Sequence, residues 1–307
     1  MRKTPFGLIA APFTPMDKEG NLKLDVIDTY AKHITKSHLS GVFICGTSGE
    51  ATSLSVKERK AVLEKWISQA ESNIKIICHV GSNSINDSIE LASHAQATGA
   101  KAIGSFAPSF FKPSNAKELV DFLAPIAAAA PDLPFYYYNI PSFTGVNIPV
   151  SEVLAMADMF IPTFAGVKYT HYDLYDMQKC IAYGGCKYEI LHGYDETLLC
   201  GLSLGVNSAV GSTYNHIPKI YQNIIDAFDE NDIEKAREWQ QFSVRFVNIL
   251  IKYGGGVRGG KALMKLIGLD CGPCRLPINN FDGNELNNYK KDLEEIDFFK
   301  YCEKIEL

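Results

Sequence analysis

The chain lacks any apolar run approaching ~18 residues, the length a membrane-spanning helix needs, so no span is expected. It also lacks an excess of basic residues: 30 Lys and Arg stand against 35 Asp and Glu, for a net charge of -5. No basic stripe is visible, which removes the electrostatic footprint of a nucleic-acid or anionic-membrane binder. The seven histidines show no paired ligand spacing of the His-Glu-x-x-His kind, so no metal is expected. The turn after the first apolar run is Thr14-Pro15-Met16-Asp17, without the glycines a dinucleotide site requires. At the amino end, Arg2-Lys3 and then Gly7-Leu8-Ile9-Ala10-Ala11 faintly match a signal segment. Pro12 and Pro15 interrupt that stretch, which reads better as a first strand. A soluble, cytoplasmic protein is the expectation.

Disulfides are also not expected. The eight cysteines are scattered through a long chain, and reduced thiols are the default without a secretory signal. Cys271-Gly272-Pro273-Cys274 has the spacing of a thioredoxin-type redox motif. That chemistry needs the first thiol at a helix amino terminus directly after a strand. Here the motif follows a helical stretch and precedes Arg275-Leu276-Pro277, so an incidental loop pair is the preferred reading.

What is present in quantity is apolar sequence, 46% of 307 residues, enough to bury a substantial core. Short β-branched or apolar runs recur at 8–13, 41–45, 74–80, 102–106, 134–138, 164–168, 188–192 and 208–211. An amphipathic stretch follows each, and no hairpin signal joins them, so parallel pairing with helical crossovers is predicted. The second helix is the clearest: Ser55 and Glu58 form a capping box, and Val56, Val62, Leu63, Trp66, Ile67 and Ala70 keep one face apolar. Eight β/α units in ~210 residues fit an α/β fold of the TIM (β/α)8 barrel type, with an open doubly wound sheet as runner-up. About 90 residues follow the eighth strand and read as helices near 217–228, 233–253, 261–267 and 284–302. We therefore expect a single domain over residues 1–307: a barrel core at 7–215, then the last barrel helix and a C-terminal helical extension at 216–307.

One charge falls in the wrong place for a buried strand. Lys168 ends the apolar run Thr163-Phe164-Ala165-Gly166-Val167. A lysine there either points into solvent or sits desolvated with a lowered pKa, where the neutral amine attacks a ketone. The other strand ends add Gly46-Thr47-Ser48-Gly49-Glu50, Tyr138-Asn139-Ile140-Pro141, Thr170, Gly193-Tyr194-Asp195-Glu196 and Gly211-Ser212-Thr213-Tyr214. In barrels of this kind chemistry collects at the carboxyl ends of the strands. Each cluster alone is an ordinary turn or cap; five at one rim indicate a small-molecule site. A neutral lysine condenses with a 2-oxo acid to a protonated imine, an electron sink for cleavage of the adjacent carbon–carbon bond. A phenol one strand away, Tyr138, is placed to shuttle the proton that such cleavage releases, although a buried core tyrosine is the plainer reading of that residue taken alone. The hydroxyls and backbone N–H groups of Thr47 and Ser48 suit a carboxylate.

Gly-Thr-Ser-Gly-Glu, Tyr-Asn-Ile-Pro and Gly-Val-Lys at these separations resemble the pyruvate-dependent lysine aldolases grouped with dihydrodipicolinate synthase and N-acetylneuraminate lyase. The resemblance covers roughly residues 7 to 280. Within the family the chain looks most similar to the lyase branch, through 135–141, 193–196 and 210–215. The resemblance implies Lys168 as the imine-forming residue and Tyr138 as proton shuttle, with Thr47 and Ser48 on the pyruvoyl carboxylate. It implies Thr170, Gly193, Asp195, Glu196 and Ser212 around the hydroxyl-rich remainder of a sugar acid. Carboxylates at 195 and 196 suit a polyol, although acidic residues also suit the first turn of the next helix. Synthases of the family carry an arginine where this chain has Phe143, which removes the fork for a second carboxylate. Family members often place a tyrosine in the loop after strand four, completing a neighbour's proton relay; this chain has Ser109-Phe110-Phe111.

The resemblance thus implies reversible cleavage of N-acetylneuraminate to pyruvate and N-acetylmannosamine by a cofactor-free homotetramer. A synthase or other 2-oxo-3-deoxy acid aldolase, and a silent sugar-acid binding protein, are the alternatives. Residues 255–261 match the start of a phosphate-binding loop, but Ala262 stands where the magnesium ligand belongs and no strand precedes it. A helix–helix connection is expected there.

Overall fold

The computed structural model describes residues 7–69, 74–302 and 304–305. Arg2, Lys3 and Ala70 lie outside the described residues. Eight parallel strands close into a barrel in chain order, β8 pairing back onto β1. They are β1 (Gly7–Ala10), β2 (Gly41–Ile44), β3 (Lys75–His79), β4 (Ala102–Phe106), β5 (Phe135–Asn139), β6 (Phe164–Tyr169), β7 (Glu189–His192) and β8 (Ser208–Gly211). The helices around them are α1 (Val26–Lys36), α2 (Val56–Gln69), α3 (Ile85–Thr98), α4 (Ala116–Ala128), α5 (Pro141–Thr144), α6 (Val150–Phe160), α7 (Leu174–Ala182), α8 (Leu198–Leu204) and α9 (Pro218–Asp229). Three more follow: α10 (Ile233–Lys252), α11 (Gly255–Leu266) and α12 (Gly283–Glu295).

Both faces of each strand are covered, which is why the strands read as nearly continuous apolar runs. The faces still separate by the period of two. On β5, Phe135 and Tyr137 join the large core under the helices, while Tyr136 and Tyr138 join a smaller cluster inside the barrel with Phe43, Phe106, Leu191 and Val210. On β6, Val167 and Tyr169 face the helices, so Lys168 between them faces inward. At the start of α2 the Glu58 carboxylate accepts from Ser55 N at 2.8 Å while Glu58 N donates to Ser55 Oγ at 3.3 Å. Its Val62, Leu63 and Trp66 are buried.

The strands match the sequence reading except at their ends. β1 stops at Ala10, because Pro12 and Pro15 cannot continue the ladder. The larger correction concerns residues 255–261. The expected connection is the first half of α11, which starts at Gly255 rather than Lys261. Glycines lower helix propensity and disguise it, but here they permit close packing. A Cβ at Gly260 would collide with the Phe13 ring, and one at Gly259 would crowd Leu250. The final helix is also shorter than expected: it ends at Glu295, Asp297 takes a left-handed φ of 57°, and a single 3-10 turn spans Phe298–Lys300.

The extension reaches the barrel rim. From α10, Gln240 Nε2 and Ser243 Oγ both donate to the carbonyl of Asp195, at 3.2 and 3.4 Å. No helix among the described residues is long and apolar enough to cross a membrane.

Candidate active site

All nine residues singled out from the sequence line one cavity of about 340 Å³ at the carboxyl rim: Thr47, Ser48, Tyr138, Lys168, Thr170, Gly193, Asp195, Glu196 and Ser212. A larger cavity, about 610 Å³, lies outside the barrel between the Met16–Lys23 loop and α11, and contains none of them.

Lys168 is 4% exposed, and among the described residues no carboxylate is hydrogen-bonded to it. Its Nζ lies 4.1 Å from the ring centroids of both Phe43 and Tyr138. Ring contacts of this kind contribute at most about 2 kcal/mol each. Desolvating an ammonium costs several kcal/mol, so burial wins. The amine is pushed down from 10.5 to about 7, with the charge of Asp195 opposing the shift. At pH 7 roughly half of Lys168 is then neutral, against about one ordinary lysine in a few thousand.

Tyr138 sits directly across from Lys168 in the β5–β6 register. Its hydroxyl is 3.1 Å from Thr47 Oγ1. Burial pushes the phenol up to about 12, so it is protonated at neutral pH. Thr170 Oγ1 is buried beside it, where it also acts on the phenol. Phe110 and Phe111 carry no hydroxyl and are 78% and 86% exposed. The hydroxyls of Thr47 and Thr170 both act on the Tyr138 phenol.

The loop carrying Thr47 and Ser48 begins at Cys45, which has a left-handed φ of 53°. Its carbonyl accepts from His79 Nδ1 at 2.8 Å; a carbonyl only accepts, so the ring proton is on that nitrogen. Burial and the neighbouring Arg59 keep His79 neutral, its pKa well below the ordinary value.

Asp195 is buried, and desolvation raises its carboxyl to about 6. Oδ2 accepts from Thr213 N at 3.1 Å and from Thr213 Oγ1 at 2.6 Å. Oδ1 has no partner. A Cβ at Gly211 would fall on this carboxylate, and one at Gly193 would fall on Thr170 Oγ1. Both glycines are required by close approach. Glu196 accepts from the Tyr172 hydroxyl at 2.7 Å, and the Tyr172 ring stacks on Tyr194 at 4.1 Å. The sequence places Thr213 at the rim without giving it a role, and it did not single out Phe43 or Tyr172. Phe43 alternates inward on β2 and Thr213 adjoins Ser212, so both were within reach of the strand period. Tyr172 was not, because loop geometry alone brings it to Glu196.

Among the described residues no group of three or more His, Cys, Asp or Glu is arranged to hold a metal ion. Cys271 and Cys274 are free, and burial pushes their thiols up to about 12 and about 11, away from redox reactivity.

The family model described as the dihydrodipicolinate synthetase family matches residues 4–296. The chain belongs to that family. It is 42% identical to the N-acetylneuraminate lyase of Gallus gallus over 96% of this chain and 97% of that one. Among solved structures, Proteus mirabilis N-acetylneuraminate lyase superposes with a TM-score of 0.93 at 36% identity, covering 95% of this chain and 99% of the other. The sialic acid aldolase of Aliivibrio salmonicida gives 0.93 at 37% identity, covering 98% and 100%.

Proposed function

We propose that the chain is a carbon–carbon lyase that reversibly cleaves N-acetylneuraminate to pyruvate and N-acetyl-D-mannosamine through an imine on Lys168. One observation carries this reading: an inward-facing amine without an anionic partner, brought near neutrality by burial, lying in register beside Tyr138. The likeness over nearly full length to proteins named N-acetylneuraminate lyase supports the choice of substrate.

The neutral Lys168 amine attacks the ketone carbon of the 2-oxo acid, and water leaves as the protonated imine forms. Tyr138 accepts the proton of the substrate hydroxyl on the far side of the scissile bond as it passes its own toward Thr47, and the same pair returns a proton to the enamine carbon in the next step. The carbon–carbon bond breaks with its electron pair moving into the imine; the hydroxyl-bearing fragment leaves as an aldehyde and an enamine remains on Lys168. Protonation of the enamine carbon and addition of water release pyruvate and restore the amine. The imine is the electron sink, so the reading calls for no cofactor. Thr47 and Ser48 hold the carboxylate, and Thr170, Gly193, Asp195, Glu196 and Ser212 take the polyol and its N-acyl group.

Phe143, half across the rim and 69% exposed, offers no guanidinium for a second carboxylate, which weighs against a synthase. We extend the reading to one domain, a cytoplasmic setting consistent with eight free thiols, and a homotetramer that covers exposed apolar residues such as Phe110, Phe111 and Tyr175. A product assay tests it. Pyruvate should appear from N-acetylneuraminate, and no condensation of pyruvate with aspartate semialdehyde should occur. The reverse pattern would make the chain a synthase, and neither reaction would make it a binding protein.

A further inference from the structure

Among the ion pairs of the described residues, only Glu50 and Lys261 are closed off from solvent, with side chains 1% and 2% exposed and Oε1 2.7 Å from Nζ. The two residues lie 211 positions apart. Neither lines the cavity that holds Lys168. Glu50 instead lines a cavity of about 330 Å³ on the other side of Thr47, and Lys261 lines the outer cavity by α11. Replacing such a pair with apolar residues is often neutral or favourable, so its presence calls for a role beyond stability.

The bonds around the pair indicate that role. Glu50 adopts a left-handed φ of 55°, sparsely populated for a residue with a side chain. Both its carboxylate oxygens are engaged, Oε1 by Lys261 and Oε2 by the backbone N–H of Arg275 at 2.8 Å. Lys261 also donates to the carbonyl of Pro273 at 2.7 Å. Arg275 in turn donates to the carbonyls of Gly20 and Ser53 at 2.8 and 2.7 Å. On the loop side, Glu50 N donates to Thr47 O at 3.0 Å and Thr14 Oγ1 donates to Gly49 O at 2.7 Å. With His79 holding Cys45, the Gly-Thr-Ser-Gly-Glu loop is gripped at both ends, and the distal grip is made by the C-terminal extension.

We infer that Glu50 and Lys261 are positioning residues for the oxo-acid site, their ion pair transmitting the geometry of residues 261–275 to Thr47 and Ser48 and so setting affinity for the substrate carboxylate. The inference rests on the imine reading of Lys168. It also accounts for the lysine of the phosphate-loop-like run: its ammonium is committed to a carboxylate and a carbonyl.

The test is a pyruvate titration with borohydride trapping, read by intact mass, on the full chain and on Glu50→Gln, Lys261→Met and the double variant. Circular dichroism melting checks that each variant folds. Each folded single variant should raise the half-saturating pyruvate concentration by about ten- to a hundredfold, as expected for a displaced cradle, while kcat at saturation changes by less than about threefold. The double variant, which leaves no unpaired buried charge, should melt above the singles yet keep the raised half-saturation. If a single variant does not fold, the double variant decides. A folded double variant with native half-saturation overturns the inference and leaves a purely structural pair. Failure to trap pyruvate on the unsubstituted chain would instead overturn the imine reading.

Discussion

Two lysines are buried to nearly the same extent, Lys168 at 4% and Lys261 at 3% exposed, and their surroundings give them opposite chemistry. Lys261 meets a carboxylate oxygen and a carbonyl, each at 2.7 Å. Lys168 meets the faces of two aromatic rings and no hydrogen-bonded anion, so its charge is what the site gives up. The carboxylate that acts on it, Asp195, is tied through Oδ2 to Thr213 and acts on Lys168 only through space. Burial alone therefore does not make a lysine reactive. At Lys168 no hydrogen-bonded carboxylate offsets the desolvation, as Glu50 does at Lys261, and the proposed reactivity turns on that difference.

The comparison can be broken most severely at Lys168. Lys168→Ala should bring turnover to the background rate while the protein stays folded, because the change removes a desolvated amine and strands no partner. Turnover assays with a melting curve check it, and retained activity would put the nucleophile elsewhere. Next in size is Tyr138→Phe, which should lower kcat by about 10² to 10⁴-fold, the usual contribution of a proton-transfer group, while pyruvate still traps on Lys168. Loss of trapping together with turnover would show that the phenol supports the amine rather than the cleavage.

The smallest effect sharpens the comparison. Asp195 holds the Lys168 pKa up, so Asp195→Asn should let it fall further. In the unsubstituted chain, imine formation should rise with pH through about 7, as the amine loses its proton. In the variant that midpoint should move to lower pH by about one unit or less, the scale of a single neighbouring charge. A midpoint that stays put or moves upward would mean that Asp195 does not act on the amine.

Much of this was legible from residue order. Alternation holds along β5 and over Val167–Tyr169 of β6, past a register shift at the start of β6, so counting back from the strand ends puts Tyr138 and Lys168 on the inner face; the closed parallel barrel follows from eight apolar runs without a hairpin. What residue order did not reveal is contact between distant segments. Nothing near Glu50 announces Lys261, and the glycines at 255, 256, 259 and 260 conceal a helix; at Gly260 and Gly259 their value is the close approach they allow to Phe13 and Leu250. The Tyr138–Thr47 hydrogen bond was hidden for a similar reason. The strand pattern places Tyr138, but the loop that brings Thr47 to it is set by the left-handed Cys45 and Glu50 and by groups from β3, α11 and the C-terminal segment.

The most direct measurement is peptide mapping after incubation with pyruvate and borohydride. The account predicts one added three-carbon acid per chain, located on Lys168, with Lys261 unmodified. An unmodified Lys168, or the adduct on another lysine, would contradict it.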